Sequence, residues 1–361
     1  MKIVPVKDRD GLLQFIEVPW MIRRDDPRWV PPLREQVFYE LSDQSGFARY
    51  GRAQLFLCEA DGRIAGRIAS LVNPRLTDRT GHVLGQLGYF ECVDDPAVAG
   101  ALIDAGAEWL KAQQARDVIA PMNGGAHRAH RFLTRGFEYD PYLFEPRNPP
   151  YYPALFARSG FTPTHRWYGY ELSREQAADR LAQFERVLAR RPPPGVLEEL
   201  RTDRADELIP RVHRLLDRCW EGHVGYAPLD IDEFAEVFRG ALSIMGPGHV
   251  AAFVRNGEDA GLTFIYPDYA AQMQALDGRA AGWGQWLGTS RPSRIVLHTA
   301  ALVPDARQSS AAMAQVAWGL HRAVSEGFER VAIALVVEGF LRRIGELTRE
   351  YTLFGRTLDW N

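Results

Sequence analysis

Apolar and polar positions follow two rhythms along the chain, and these predict an α/β fold built from two successive series of strands and helices. Short β-branched runs indicate strands, whereas apolar residues every three or four positions indicate helices. The first series has predicted strands at 2–6, 54–59, 64–72, 83–93, 118–120 and 161–172, predicted helices at 11–22, 33–41, 96–113 and 151–159, and an irregular segment at 121–150. The second has predicted strands at 196–201, 249–255, 261–266, 295–303, 330–337 and 351–358 and predicted helices at 173–191, 204–221, 230–242 and 339–346 and after the 305–312 link.

The second series repeats the first in residues as well as in pattern. Three matched pairs occur in the same order, namely 58–66 with 254–261, 115–120 with 328–333, and 158–160 with 343–345. A period this long indicates a duplicated domain, because solenoid repeats are much shorter. We therefore predict an N-terminal domain at 1–172, a helical linker at 173–194 that ends in three prolines, and a C-terminal domain at 195–361.

The strand at 295–303 and the helix that follows it predict an anion site. Pro292 and Pro304 bound the strand, and the 305–312 link consists almost entirely of small side chains plus Arg307. Met313 and Leu320 lie on the apolar face of the predicted helix. A strand that enters a helix through a small-residue loop leaves unpaired N–H groups at the helix start, and these bind phosphate well.

This strand–loop–helix resembles the acyl-CoA-binding motif of the GNAT superfamily of N-acyltransferases, roughly Val-x-Pro-x-x-Arg-Gly-x-Gly-x-Gly/Ala. Leu302, Pro304 and Arg307 match its valine, proline and arginine, whereas Gln308, Ser310 and Ala312 stand where the family has glycines. The resemblance implies acetyl-CoA or another acyl-CoA as co-substrate and no metal. The residues expected to contact it are Leu302, Val303, Arg307, Gln308, Ser309, Ser310, Ala311 and Ala312.

The element order in both halves is also similar to that of GNAT proteins, so the chain resembles a tandem GNAT protein along nearly all of its length. It is most similar to a bacterial family with matching segments at 89–96 (YFECVDDP), 120–123 (APMN), 148–152 (NPPYY), 267–270 (PDYA) and 276–279 (LDGR). The resemblance implies two GNAT-like domains, each with a mixed twisted central sheet flanked by helices. It further implies transfer of an acyl group to a small-molecule amine or peptide, and it is compatible with a homodimer.

The first half departs from the motif where its strand meets its helix. Its loop carries Asp94 and Asp95, which can satisfy the helix N–H groups themselves and would repel a pyrophosphate. We therefore expect the cofactor only in the second half, with the first half serving as a scaffold or as a wall of the substrate cleft.

Acyl transfer to an amine needs a base and an acid, and three side chains of the second half are candidates. His298 lies in the predicted strand beside the cleft, Glu338 follows an apolar strand, and Tyr351 lies past the last helix. Each also has a purely structural interpretation, as a sheet histidine, a helix-start residue and a core tyrosine. In addition, Glu338-Gly339 replaces an asparagine-bearing motif that is common in the superfamily.

Two further segments have open interpretations. His127 and His130 have too few partners for a metal site, so a basic loop lining the cleft between the domains is the preferred interpretation. The segment 267–292 contains Trp283 and Trp286 and is either a substrate lid or a packing insert.

Composition narrows the function classes. A net charge of -3 argues against a nucleic-acid partner, and three scattered cysteines fit a reducing cytoplasm. No window approaches 18 apolar residues, so no membrane span is expected. The sequence thus predicts a cytoplasmic acyl-CoA-dependent N-acyltransferase. The alternatives are a transferase that uses aminoacyl-tRNA or acyl carrier protein as donor, and a non-catalytic GNAT-fold binding protein.

Overall fold

The structure is a computed structural model, and it describes residues 1–78, 80–307, 309–339 and 344–359, with only the main chain for Ser309. The strands β1 to β13 are Lys2–Pro5, Arg52–Ala60, Arg63–Thr77, Val83–Cys92, Asp117–Ala120, Phe132–Arg135, Thr162–Ser173, Val196–Glu199, Val250–Arg255, Glu258–Pro267, Arg294–Leu302, Arg330–Val337 and Glu346–Thr357. The helices α1 to α9 are Arg9–Ile22, Arg34–Leu41, Pro96–Ala112, Tyr152–Arg158, Arg174–Arg190, Ala205–Trp220, Ile231–Leu242, Ala270–Leu276 and Ser309–Ser325. The predicted α/β class with mixed sheets is confirmed.

The two halves open on the same hairpin. Strands β2 and β3 turn at Asp61 and Gly62 (φ 50° and 73°), and β9 and β10 turn at Asn256 and Gly257 (φ 54° and 81°). Two consecutive left-handed residues form the tight turn whose twist matches that of paired strands, and Asn-Gly and Asp-Gly favour it. The repeat in the sequence is therefore also a repeat in backbone conformation.

The match extends to the strand that follows each hairpin. The register slips at one alanine in each hairpin, Ala65 in the first half and Ala260 in the second. The two alanine carbonyl groups accept hydrogen bonds from the N–H groups of Val93 and Val303, both at 3.0 Å. These two valines directly follow β4 and β11, so the ends of the two strands occupy matching positions.

The two halves share one sheet because each contributes its last strand to the other. The strand order is β1-β2-β3-β4-β5-β13-β7-β12-β11-β10-β9-β8, with β6 paired to β13. Strand β7, from the first half, thus pairs with β12, and β13, from the end of the chain, pairs with β5. The exchange joins both halves through the centre of the sheet, where β7 and β13 are antiparallel neighbours.

A buried charge network holds the exchanged strands. Glu171 of β7 accepts hydrogen bonds from Arg294 of β11 and Arg349 of β13, both at 2.9 Å. Arg349 also forms an ion pair of 2.8 Å with Glu145, and both side chains are buried. Charges at this depth are tolerated only when they are paired, so the network favours one arrangement of the central strands.

Helices cover the sheet and bury apolar side chains against both halves. Helices α3 and α4 pack on the first-half strands around Leu102 and Phe156, and α6 and α7 pack on the second-half strands around Val212 and Phe238. Helices α5 and α9 lie side by side over the central strands. In the part of the chain that the structure describes, no helix is both long and apolar enough to cross a bilayer.

Three elements differ from the sequence predictions. The segment 121–150 contains the short strand β6, and 267–292 contains helix α8. The helix predicted at 339–346 is not present in its described part, because Ile344 and Gly345 form a bend and β13 already begins at Glu346. Residues 340–343 of that prediction lie outside the described residues.

Candidate functional site

A slot opens between β11 and β12 in the second half. The two parallel strands pair over only four positions, from Arg294 opposite Arg330 to Leu297 opposite Ile333. Both strands then continue, β11 to Leu302 and β12 to Val337. Beyond the last pair, the facing edges of both strands have main-chain groups that this parallel ladder does not use.

The surface of the slot is accessible. His298, Ala300 and Ala301 of β11 and Leu335 of β12 are partly exposed, although they belong to central strands of the sheet. Leu335 has a φ of 55° at an irregularity in the pairing of β12 with β7. This backbone conformation is strained for a leucine, and it lies where β12 turns away from β11.

The corresponding strands of the first half also stop pairing, but the chain fills the gap. After β5 ends, the Met122 N–H donates to the Leu87 carbonyl at 2.9 Å, and the Asn123 side chain accepts from the Tyr89 N–H at 2.8 Å. A Cβ atom on Gly88 would lie only 2.3 Å from the carbonyl oxygen of Met122. The main chain therefore lies directly against β4, and no slot remains there.

Two tyrosine hydroxyl groups close the far end of the first half. The Tyr152 hydroxyl accepts from the Cys92 N–H at 2.9 Å and donates to Glu91 at 2.7 Å. The Tyr151 hydroxyl donates to the Cys92 carbonyl at 2.8 Å. Both polar groups of Cys92, which is fully buried, are thus satisfied by side chains. Leu302 is its counterpart in the second half.

The loops that follow these two strands also differ. In the first half, residues 93–95 join β4 to α3, and the Asp95 carboxylate caps the helix by accepting from the Ala97 N–H at 2.7 Å. In the second half, the loop 303–308 is twice as long. A longer loop with small residues leaves the start of α9 without an acidic cap of that kind.

Of the predicted cofactor residues, Leu302 and Val303 end β11, and Ser309, Ser310, Ala311 and Ala312 form the first turn of α9. Gln308 lies outside the described residues. Arg307 folds back and donates to the carbonyl groups of Leu302 (3.2 Å) and Cys219 (2.9 Å). Its side chain is therefore more than a free loop tip, although the residue is exposed.

His298 lies at the inner end of the slot. The bulge between β10 and β11 leaves it unpaired, since Phe264 faces Thr299 and Ile265 faces Leu297. Its ring stacks on Phe264 with the centroids 5.7 Å apart. Burial, and secondarily the charge of Arg131, lower the pKa of His298 to about 4. The imidazole is therefore neutral at pH 7 and only weakly basic.

Glu338 lies at the outer end. It directly follows β12, is exposed, and accepts a hydrogen bond from the Tyr168 hydroxyl at 2.9 Å. His298 stands one position past the last pair of β11, whereas Glu338 stands five positions past the last pair of β12. Four strand residues span about 13 Å, so the structure places the two candidates at different depths. Their catalytic roles stay predictions.

Tyr351 lies in β13 and is fully buried. Its hydroxyl donates to Glu145 at 2.5 Å and is 3.1 Å from the Tyr142 hydroxyl. Burial raises the pKa of Tyr351 well above its usual range. Its proton is thus shared with a carboxylate in the core. Its role as an acid in catalysis stays a prediction.

The two loop histidines are separated by their environments. His127 packs against Trp220 and Tyr226 of the second half and hydrogen-bonds to the carbonyl of Ala227. His130 points instead toward Arg131. Among the residues that the structure describes, no group of three potential metal ligands occurs.

The segment 267–292 connects the two halves. Asp277 accepts a hydrogen bond from the Trp20 indole at 2.9 Å, and Gln274 donates to the carbonyl of Pro27 at 2.6 Å. Trp283 and Trp286 are partly buried against the second-half core. These contacts describe packing against helix α1 and the chain after it. A role as a lid stays a prediction.

No protein-family model matches the chain. It is 25% identical over 291 residues to "Bacterial ceramide synthase" from Caulobacter vibrioides, which covers 80% of this chain and 76% of that protein. It is 24% identical over 228 residues to "Protein YghO" from Escherichia coli, and this match covers 63% of the chain and 58% of that relative's length.

Solved structures match over almost the whole chain. A tandem GNAT protein from the clavulanic acid biosynthesis pathway has a TM-score of 0.53 at 13% identity, covering 99% of this chain and 98% of that one. A "Probable N-Acyltransferase" from Enterococcus faecalis has a TM-score of 0.55 at 10% identity, covering 99% and 73% respectively. At these identities the similarity establishes the fold.

Proposed function

We propose that this chain, which has the tandem GNAT fold, transfers an acyl group from acyl-CoA to an amine, and that only the second half binds the donor. The observation that carries this proposal is the open slot between β11 and β12, which leads to the start of α9. The GNAT fold is shared with N-acetyltransferases, and the slot is where a pantetheine arm could add its amide groups to a strand edge.

The proposed donor position follows from the polar groups that are available. The pyrophosphate would meet the N–H groups of the first turn of α9, where the helix dipole favours an anion. Arg307 is close enough to turn from the Leu302 carbonyl toward that charge. The arm would then run inward along β11, past Ala300, toward His298.

The proposed reaction is direct transfer. The amine nitrogen attacks the thioester carbonyl carbon, a C–N bond forms, and the C–S bond breaks. One proton leaves the nitrogen and the CoA thiolate takes up one, so an amide and free CoA are the products. Glu338, which is exposed and ends β12, is the proposed base through water.

The proposed acceptor is a long-chain amine. A ceramide is the N-acyl amide of a long-chain amino alcohol, and the relative from Caulobacter vibrioides, which covers 80% of this chain, is named a ceramide synthase. The net charge of -3 disfavours an aminoacyl-tRNA donor.

The test is a calorimetric titration of CoA and of a long-chain acyl-CoA into the wild type, Arg307→Glu and Asp95→Ala. Losing one charged contact costs about 1.5–3 kcal/mol, or about ten- to a hundredfold in affinity. Arg307→Glu should weaken binding by at least this factor, whereas Asp95→Ala in the closed half should bind as the wild type does. Thermal unfolding of each variant controls for the two main-chain hydrogen bonds that Arg307 makes.

Turnover completes the test, with free thiol released from acyl-CoA measured in the presence of a long-chain amino alcohol. Wild-type protein that binds no CoA at millimolar concentration would leave a non-catalytic protein or another acyl donor, such as acyl carrier protein. Undiminished binding by Arg307→Glu would place the donor elsewhere.

A further inference from the structure

Arg131 is a buried cation without an acidic partner. Its side chain is only 8% exposed, and it forms no ion pair with a carboxylate within the described residues. Its Nε atom is buried without a hydrogen-bond partner. One Nη atom contacts the His130 ring, and the guanidinium lies 4.1 Å from the centre of the Trp167 ring.

The partner that Arg131 does have is neutral. His130 places Nδ1 2.9 Å from the Arg128 carbonyl, so Nδ1 carries the proton and Nε2 is left as the acceptor for Arg131. Burial and the neighbouring charge of Arg131 hold the pKa of His130 well below its usual range. Burial also lowers the pKa of Arg131 to about 9. The charge is thus held at a cost that nothing nearby offsets.

The contrast with Arg349 shows that this is not how the chain usually buries an arginine. Arg349 is 1% exposed, but Glu145 and Glu171 lie 2.8 and 2.9 Å from its guanidinium. Arg131 also has a φ of 73°, in the left-handed region. Backbone strain and an uncompensated charge at one residue are features that occur at functional sites.

Arg131 lies beside the inner end of the slot. Trp167, which carries its guanidinium, pairs with Val337 of β12 and with Tyr351 of β13. The charge of Arg131 is also close enough to lower the pKa of His298. A donor arm that entered at Leu302 would reach His298 after four residues of strand, about 13 Å. The thioester would therefore lie near Arg131.

We propose that the guanidinium group of Arg131 stabilises the oxyanion of the acyl-transfer reaction, an inference that rests on the function proposed above. When the amine attacks, the π electron pair of the thioester carbonyl moves to its oxygen, and Arg131 donates a hydrogen bond to that oxygen. When the pair returns, the C–S bond breaks and CoA leaves as the thiolate. A fixed donor in a water-poor site is worth far more to such a charge than one in water.

The experiment compares the wild type with Arg131→Met and Arg131→Lys, and uses Arg349→Met as the matched buried-arginine control. It measures kcat and KM for acyl-CoA and for a long-chain amino alcohol, the CoA affinity by calorimetry, and Tm. We expect Arg131→Met to lower kcat by about 100- to 1000-fold with KM and CoA affinity little changed. Arg131→Lys should recover part of kcat because it keeps the charge.

Stability separates this role from a structural one. Arg131→Met removes an unpaired charge, so its Tm should equal or exceed that of the wild type, whereas Arg349→Met should lower Tm by leaving two carboxylates unpaired. Unchanged kcat in Arg131→Met would overturn the inference. So would a raised KM for the amine at constant kcat, which indicates an acidic group on the acceptor, or a Tm loss like that of Arg349→Met. A wild type without turnover would instead refute the acyl-transfer function itself.

Discussion

The two halves start from the same hairpin, the same bulge and the same strand end, and they diverge in one place. In the first half the chain stays bonded to β4 after β5 ends, and two tyrosine hydroxyl groups take the last polar groups of that strand. In the second half β11 and β12 separate and remain partly exposed. A duplicated fold can thus keep one slot and use the other for packing, without a change in topology.

Gly88 gives the sharpest way to break this comparison. It stands four residues before Cys92, as His298 stands four residues before Leu302, so a glycine in the closed half corresponds to an imidazole in the open half. In Gly88→Ala the new Cβ would meet the Met122 carbonyl oxygen at 2.3 Å. We expect a loss of at least about 3 kcal/mol in the free energy of unfolding, measured by urea denaturation.

His298→Ala is the matched control, and its loss should be clearly smaller because the ring is partly exposed in the slot. Equal losses in the two variants would mean that the second half is as tightly closed as the first.

Tyr152→Phe sharpens the comparison at the far end. It leaves the buried N–H of Cys92 without a partner, which costs about 1–3 kcal/mol. Thermal or urea unfolding measures this loss. Tyr151→Phe should cost less, because the Cys92 carbonyl that it frees is an acceptor only. CoA binding should be unchanged in both, and a second CoA site in Tyr152→Phe would show that the first half is only blocked.

The smallest effect concerns what the halves share. Gly62→Ala and Gly257→Ala add a Cβ that meets nothing within 4 Å, but both residues have positive φ. The backbone strain should cost about 1–2 kcal/mol in each. Denaturant unfolding of the two variants should give similar losses. A large difference between them would contradict the equivalence of the two hairpins.

The repeat and the cofactor motif could be predicted because they are local. The turns at Asp61-Gly62 and Asn256-Gly257, the Asp95 cap and the strand–loop–helix after Arg294 depend on residues close together in the chain. The helix predicted at 339–346 was wrong in its described part, because Glu346 pairs with Glu171 at the start of β13. That partner is distant in the sequence, and no local pattern indicates it.

Arg131 shows the same limit at the candidate site. The sequence placed it only in a basic loop, and its meaning comes from having Trp167 and His130 as neighbours and no carboxylate. Arg307 was predicted from the motif, but its hydrogen bond to Cys219 depends on helix α6.

By itself, the sequence determined the α/β class, the duplicated series of elements and the contrast between an acidic loop and a small-residue loop. These follow from side-chain periodicity, turn residues and charge, which act over a few positions. Only the tertiary structure decided that β7 and β13 exchange places, that tyrosines close one slot, and that Arg131 lies unpaired beside the other. These features depend on which distant side chains remain to satisfy a buried polar group, and burial is set by the whole fold.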